Sequence, residues 1–254
     1  MGDAAAIVLF DIDGTLLRGV GPCHKEALIE GIRQVTGITT SFDGVATAGT
    51  LDRDLIASLL ATGGYSDDRI RAALPEIAEA CEAVYLRNCA SDLRPFVCPG
   101  VRRFLEQLRT HDAALGLVTG NLNAIGWKKM ELAGLRNYFS VGAFSQDGHT
   151  RTELAGIAAE RARAHCQWAR QCPVTLIGDH ANDILAAKAN GFRSVAVATG
   201  VSAKEELQRF LPDIVARTLA EFNPAEIIAP YERCQERRTG IKCTSAHHVD
   251  MGIE

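Results

Sequence analysis

The sequence predicts an α/β protein built on a parallel, doubly wound sheet, with an all-helical segment inserted after the first strand. Three observations predict it. Short continuous apolar runs recur along the chain and end in small or polar clusters, the pattern of strands buried on both faces. Helix-period segments lie between the runs, as βαβ units require. Residues 22–92 break that rhythm with three helical faces and no convincing strand.

The first strand is Ile7-Val8-Leu9-Phe10, followed directly by Asp11-Ile12-Asp13-Gly14-Thr15. In the insert, Ala27, Leu28, Ile32 and Val35 form one helical face that Gly37 ends. Leu55, Ile56, Leu59 and Leu60 form a second, ended by Gly63-Gly64. Ser66 is placed to cap a third, with Ile70, Leu74, Ile77, Cys81, Val84 and Tyr85 along one side and Pro75 positioned to kink or split it. The proline-bearing stretch 93–101 returns the chain to the sheet. A helix with Val101, Phe104, Leu105 and Leu108 on one face follows, and then the strands in 113–121, 140–145 (the weakest), 174–179 and 194–200. Between them, Leu154, Ile157 and Ala158 begin a helix, and the alanine-rich 181–191 forms another that Gly191 closes. The organisation expected is a core of residues 1–21 and 93–222, a helical insert at 22–92, and an appended, partly disordered segment at 223–254.

Composition narrows the function. With 47% hydrophobic and 23% charged residues and a net charge of −4, nothing suggests a nucleic acid or an anionic membrane surface as partner. No stretch is apolar enough to cross a bilayer, and no leader pattern precedes the first strand, so the cytoplasm is the default expectation. Eight cysteines without a close C-x-x-C pair read as reduced thiols. Cys234, Cys243, His247 and His248 are too poorly spaced to argue for zinc.

Ligands of open α/β sheets bind beyond the carboxyl ends of the strands, where the strand order reverses. Three polar clusters fall at such ends: 11–15, Thr119-Gly120-Asn121, and Gly178-Asp179-His180-Ala181-Asn182-Asp183. In the first, Asp11 and Asp13 lean to one side of an extended backbone, and Gly14 permits a sharp turn close to a ligand. Asp183 lies one helical turn from Asp179, on the same face. Converging carboxylates repel unless a hard cation joins them. Mg²⁺ suits oxygen donors and ordinarily keeps waters and substrate phosphate oxygens as its other ligands. Thr119, with the backbone N–H groups of Gly120 and Asn121, suits a phosphate. A cation is needed to balance the nucleophile and the phosphoryl oxygens. Lys128 and Lys129 on the helix after Thr119, and Arg151 before the next helix, are the candidates.

These motifs, in this order, resemble the haloacid dehalogenase-like hydrolase superfamily, in its phosphoglycolate phosphatase-like branch with an α-helical cap. "DIDGTLL" resembles the first motif, "LVTGN" the second and "IGDHANDILAAKANG" the fourth, and the resemblance spans about residues 5–222. It implies a Rossmann-like core with a cap after the first strand, and a Mg²⁺-dependent phosphatase acting on a small phosphorylated metabolite through an aspartyl-phosphate. Asp11 takes the nucleophile position and Asp13 that of the general acid/base, whose backbone carbonyl also reaches the metal. Asp179 and Asp183 take the remaining metal positions, and Thr119 the phosphoryl-binding one. The third motif departs from the pattern, because "DGHTRTELAGIA" has no lysine. Lys129 is the preferred substitute, since "WKKMELAGL" resembles relatives with a lysine there, and Arg151 is the alternative. Relatives that cleave carbon–halogen bonds lack the second aspartate, so Asp13 argues against dehalogenation. "AGTLDRDLI" resembles the cap loop that sets specificity. Thr50 and Arg53, with Gly49 and Asp52, are candidate substrate contacts, as is Arg18 at the hinge, while Asp52 read locally is a helix cap and His24 a capping or packing residue. Alternatives are a phosphomutase on the same core, or a non-catalytic binding protein that kept the fold. A monomer and a homodimer are equally open.

Overall fold

The computed structural model describes residues 6–228, apart from 90, 112 and 166–171. Six strands, β1 (Ile7–Phe10), β2 (Ala114–Val118), β3 (Val141–Ala143), β4 (Val174–Gly178), β5 (Arg193–Val197) and β6 (Ile214–Ala216), form one sheet. Every pairing is parallel and the order is β3-β2-β1-β4-β5-β6. Ile7 stands in register with Ala114 on one side and Val174 on the other. The chain builds outward from β1 in one direction and then crosses to its other side at β4, so the order reverses at the end of β1.

The helices are α1 (Cys23–Thr36), α2 (Asp52–Thr62), α3 (Asp67–Asn88), α4 (Val101–Thr110), α5 (Asn123–Leu132), α6 (Arg151–His165), α7 (Ala181–Ala189), α8 (Lys204–Gln208) and α9 (Pro224–Ile228). Alternation along β1 explains its unbroken apolar sequence. Val8 and Phe10 join a cluster with Phe104, Leu105 and Leu108 of α4, while Ile7 and Leu9 join another with Leu154, Ala158 and Ala162 of α6. Both faces are covered, so neither parity can be polar.

Helices α1–α3 fall between β1 and β2 in the chain and bury their own cluster of Leu28, Ile32, Ile56, Leu59, Ile77 and Cys81. Leu122 and Ile125, at the start of α5, enter the same cluster and tie the insert to the core. Gly37 ends α1 in the left-handed region (φ 74°), as expected, with its N–H donating to the Arg33 carbonyl. Pro75 neither splits nor ends α3, which runs unbroken with the proline on its exposed face.

Three expectations need correction. Cys23 and Cys89 are not reduced thiols: they form a disulfide across 66 residues, with Cα atoms 6.0 Å apart. They sit at the start of α1 and just past the end of α3, and the packing of those helices brings them together. The structured core also continues beyond residue 222. Helix α9 buries Ile227 completely, and the carbonyl of Ile227 accepts from Thr175 Oγ1 (3.1 Å) and Arg193 Nη1 (2.7 Å). Strand β6 was not anticipated, because three residues at a sheet edge are too few for a period to show. The tail residues weighed for zinc lie outside the described residues.

Candidate active site

β1, β2 and β4 are neighbours, so the three polar clusters that follow them meet at one end of the sheet. They open on a cavity of about 410 Å³ between core and insert. Asp11, Asp13, Thr119, Gly120, Asn121, Lys129, Arg151 and Asp179 line it from the core, and Arg18, His24, Lys25, Gly49, Thr50 and Asp52 from the hinge and insert. Arg53 does not line it. Its guanidinium donates to the Gly148 carbonyl (3.2 Å) and its backbone N–H to Ser145 Oγ (2.9 Å), which fastens the start of α2 to the core.

Asp11 is the first residue past β1, and its carboxylate is 6% exposed. Arg151 Nη1 donates to Asp11 Oδ1 (3.0 Å) and to the Val118 carbonyl (3.0 Å), and Arg151 Nε stands 3.3 Å from Asp183 Oδ1. One buried guanidinium thus spans the strand-end carboxylate and the α7 carboxylate. Asp183 Oδ2 also accepts the His180 N–H (3.2 Å), closing a capping box at the start of α7. Thr15 Oγ1 donates to Asp179 Oδ1 (3.2 Å). Gly14 lies at φ 95°, and a Cβ there would run into the Asp179 carboxylate, so both backbone and space require glycine.

Asp13 occupies a different environment two residues on. Its side chain is 42% exposed, and Lys129 Nζ donates to both of its oxygens (2.8 and 2.7 Å). Asn121 Nδ2 adds a bond to Asp13 Oδ2 (2.7 Å), and Asn121 Oδ1 accepts from Lys129 (2.7 Å). The two candidate cations therefore divide the aspartates, with Arg151 on Asp11 and Lys129 on Asp13 rather than either serving alone. Lys129, although only 1% exposed, is saturated by these acceptors and by His24 Nδ1 (3.1 Å).

The electrostatics separate the pair further. Burial pushes the Asp11 carboxyl well above the usual carboxylate range. Arg151 opposes that shift, and the negative charges of Asp183, Asp179 and Asp13 add to it. Burial also works upward on Asp13. There the Lys129 ammonium, His24, and the hydrogen bonds from Lys129 and Asn121 outweigh it and hold the carboxyl below its ordinary value. Asp179 is pushed up to about 7, by burial first and by the charge of Asp183 second.

Oxygen atoms of Asp11, Asp179 and Asp183 all lie within 4.8 Å of one another. All three residues are buried, and Asp183 Oδ1 has no hydrogen-bond donor among the described residues. An all-oxygen set of buried carboxylates, two of them held toward their neutral forms by burial first and by the neighbouring negative charges after it, fits a hard divalent cation. The carboxylate of Asp13 is not part of that set.

Thr119 is buried at the end of β2, and its Oγ1 accepts from Asn121 Nδ2 (2.5 Å) and from the Asn121 N–H (3.3 Å). The first amides of α5 are taken by side chains. Leu122 N donates to Asp52 Oδ2 (2.8 Å), Asn123 N to Gln146 Oε1 (2.8 Å) and Ala124 N to Glu82 Oε1 (2.7 Å). Asp52 accordingly does not cap its own helix. It caps α5 of the core and accepts from His24 Nε2 (2.8 Å). Sequence reasoning undervalued His24 and missed both Glu82 and the side-chain role of Asn121. Their long-range partners leave no local signal: Lys129 for His24, the Ala124 N–H for Glu82 and Asp13 for Asn121.

A family model for haloacid dehalogenase-like hydrolases matches residues 5–191. The chain belongs to that family. Among curated proteins it is 26% identical over 220 residues to "Probable phosphatase IndB" of Dickeya dadantii, covering 85% of this chain and 90% of that protein. It is 29% identical over 146 residues to phosphoglycolate phosphatase of Escherichia coli, covering 56% of each. Among solved structures it resembles β-phosphoglucomutase from Clostridium difficile (TM-score 0.61, 17% identity, 88% of this chain and 94% of that one). It also resembles a hydrolase from Pseudomonas syringae (TM-score 0.58, 20% identity, 85% and 94%). These two likenesses speak to the fold. Family and curated relatives together place the chain among the phosphoric monoester hydrolases.

Proposed function

We propose that the chain is a Mg²⁺-dependent phosphatase for a small phosphorylated metabolite, of the phosphoglycolate or sugar phosphate kind, and that it works through an aspartyl-phosphate on Asp11. The observation that carries this reading is the division of labour between two aspartates facing one cavity. Asp11 is buried against a permanent cation, while Asp13 is open and hydrogen-bonded to a lysine.

Arg151 holds Asp11 Oδ1, which orients the carboxylate and leaves its other oxygen for attack. As the bond from Asp11 to phosphorus forms, the bond to the leaving oxygen breaks, and Asp13 delivers a proton to that oxygen. A water then attacks the phosphoryl group, Asp13 takes its proton, and Asp11 is released together with inorganic phosphate. Thr119 with the backbone of Gly120 lies beside the transferring group, where fixed donors contribute most to phosphoryl transfer. Asp11, Asp179 and Asp183 would hold Mg²⁺, which would supply positive charge to offset that of the phosphoryl oxygens. Arg18 and Thr50, which line the same cavity, are among the side chains available to a leaving group.

The test is turnover of a panel of phosphate monoesters with and without Mg²⁺, with phosphate release and sugar-phosphate isomers both measured. Mg²⁺-dependent phosphate release without an isomer supports the proposal. An isomer without net phosphate release would make the protein a mutase, and inertness across the panel would favour a binding role.

A further inference from the structure

His180, directly after Asp179, lines the same cavity at the seam where insert residues 47–50 meet the core. Its ring is held on the Nδ1 side. That nitrogen accepts the Asn182 N–H (3.2 Å) in the first turn of α7. The same edge lies against the backbone of Gly49, where a Cβ would come within 2.3 Å of Nδ1 and 2.5 Å of Cε1. Asn182 Nδ2 donates to the Gly49 carbonyl (3.0 Å), which keeps that glycine in place. The His180 backbone is fixed as well, its N–H donating to Asp183 Oδ2 (3.2 Å). Because Nδ1 accepts, the imidazole carries its proton on Nε2. That Nε2–H has no acceptor among the described residues. A polar group held still at a cavity wall, with its donor unpaired, is the kind that orients a ligand.

We infer that His180 is a specificity-determining residue whose Nε2–H donates to an oxygen that the leaving group carries close to the ester oxygen. In-line attack by Asp11 puts the leaving group on the far side of phosphorus, toward the insert. His180 stands on that side, against Gly49 of the insert. A neutral N–H suits a hydroxyl or a carboxylate oxygen equally and gains nothing from a bare alkyl chain. The inference rests on the phosphatase reading above.

The test compares kcat/KM for three esters. Ethyl phosphate lacks the oxygen, while 2-hydroxyethyl phosphate and phosphoglycolate carry a hydroxyl and a carboxylate on the second carbon. The wild type should favour at least one oxygen-bearing ester over ethyl phosphate by about tenfold or more, and the favoured ester identifies the acceptor. His180→Asn keeps an oxygen for the Asn182 N–H but places no donor at the Nε2 position. It should lower the favoured ester by about tenfold and ethyl phosphate by less than about threefold, with the Mg²⁺-induced rise in melting temperature retained. His180→Gln, whose amide nitrogen reaches the Nε2 position, should recover most of the preference. Several results would overturn the inference while leaving the phosphatase reading intact: a wild type indifferent among the three esters or active only on other monoesters, equal losses on all three in His180→Asn, a preference that His180→Asn keeps or His180→Gln fails to recover, or loss of the Mg²⁺ response in His180→Asn, which would make the residue a helix cap alone. A wild type inert toward every monoester would remove that reading, and this one with it.

Discussion

Asp11 and Asp13 are the same residue type, two positions apart, yet the fold gives them opposite surroundings. Asp11 is sealed at the sheet end against Arg151, with two further carboxylates beside it, and burial drives it toward the neutral form. Asp13 opens on the cavity, where Lys129 and Asn121 favour its charged form. The difference shows how one short motif supports two roles. A nucleophile that shares its site with a cation-binding cluster must be enclosed, and a group that exchanges protons with leaving group and water must remain reachable. The residue types of the motif are shared, and the partners arriving from α5, α6 and α7 make the distinction.

The comparison breaks most completely at Asp11. Asp11→Asn removes the attacking oxygen and should take turnover of both aryl and alkyl phosphates to background while the thermal melt stays cooperative. Residual Mg²⁺-dependent turnover would move the nucleophile elsewhere. Asp13→Asn should be next, lowering alkyl phosphate turnover by about 10²–10⁴-fold, the range for lost acid/base catalysis, and aryl phosphate turnover by clearly less in kcat/KM. Equal effects would remove the proton-transfer role.

Arg151→Met should come third and register chiefly as stability. It strands Asp11 and Asp183 without their buried partner, which costs about 3–5 kcal/mol and should be read from denaturant unfolding of the metal-free protein. Added Mg²⁺ should recover part of that loss, because the cation answers the same carboxylates. A Lys129→Met variant should show no such recovery, since its partner Asp13 lies outside the converging set.

A further effect is expected on pH dependence, where the two halves should slope in opposite directions. Asp179 titrates near 7 in the fold against an ordinary value of 3.8, so the folded state holds the extra proton between those limits. That contribution is fully present below about pH 4 and is lost as pH rises through 7. The metal-free melting temperature should therefore fall over that interval, the Mg²⁺-induced rise should grow, and Asp179→Asn should flatten both trends. Asp13, depressed in the fold, contributes above its unfolded value and loses that contribution as pH falls through its folded one. Asp13→Asn should therefore flatten the acid limb of the stability profile and leave the neutral limb unchanged.

Much of the fold was legible because burial on both sheet faces leaves a continuous apolar run, which stands out in β1, β2, β4 and β5. The helical faces of α1–α3 were equally plain, since each buries one stripe. Strand β6 and helix α9 were not, being three and five residues long and defined by what they pack against. In the site, Asp11, Thr119 and Asp179 could be placed because a residue directly after a buried strand has its position fixed by that strand. The cation was the harder question. Lys129 and Arg151 sit on different helices, and nothing local records which carboxylate each would face. The Cys23–Cys89 disulfide was hidden for the same reason, its partners being 66 residues apart.

By itself the sequence determined the layered α/β architecture, the helical insert after β1 and the carboxylates at the strand ends. Hydrophobic periodicity and strand-end position are local properties, carried by neighbours in the chain. Only the tertiary structure decided that Arg151 pairs with Asp11 and Lys129 with Asp13, and that Asp52 of the insert caps α5 and holds His24. Those pairings depend on the distance and burial of groups separated by up to 140 residues, which the packing of helices on the sheet alone can fix.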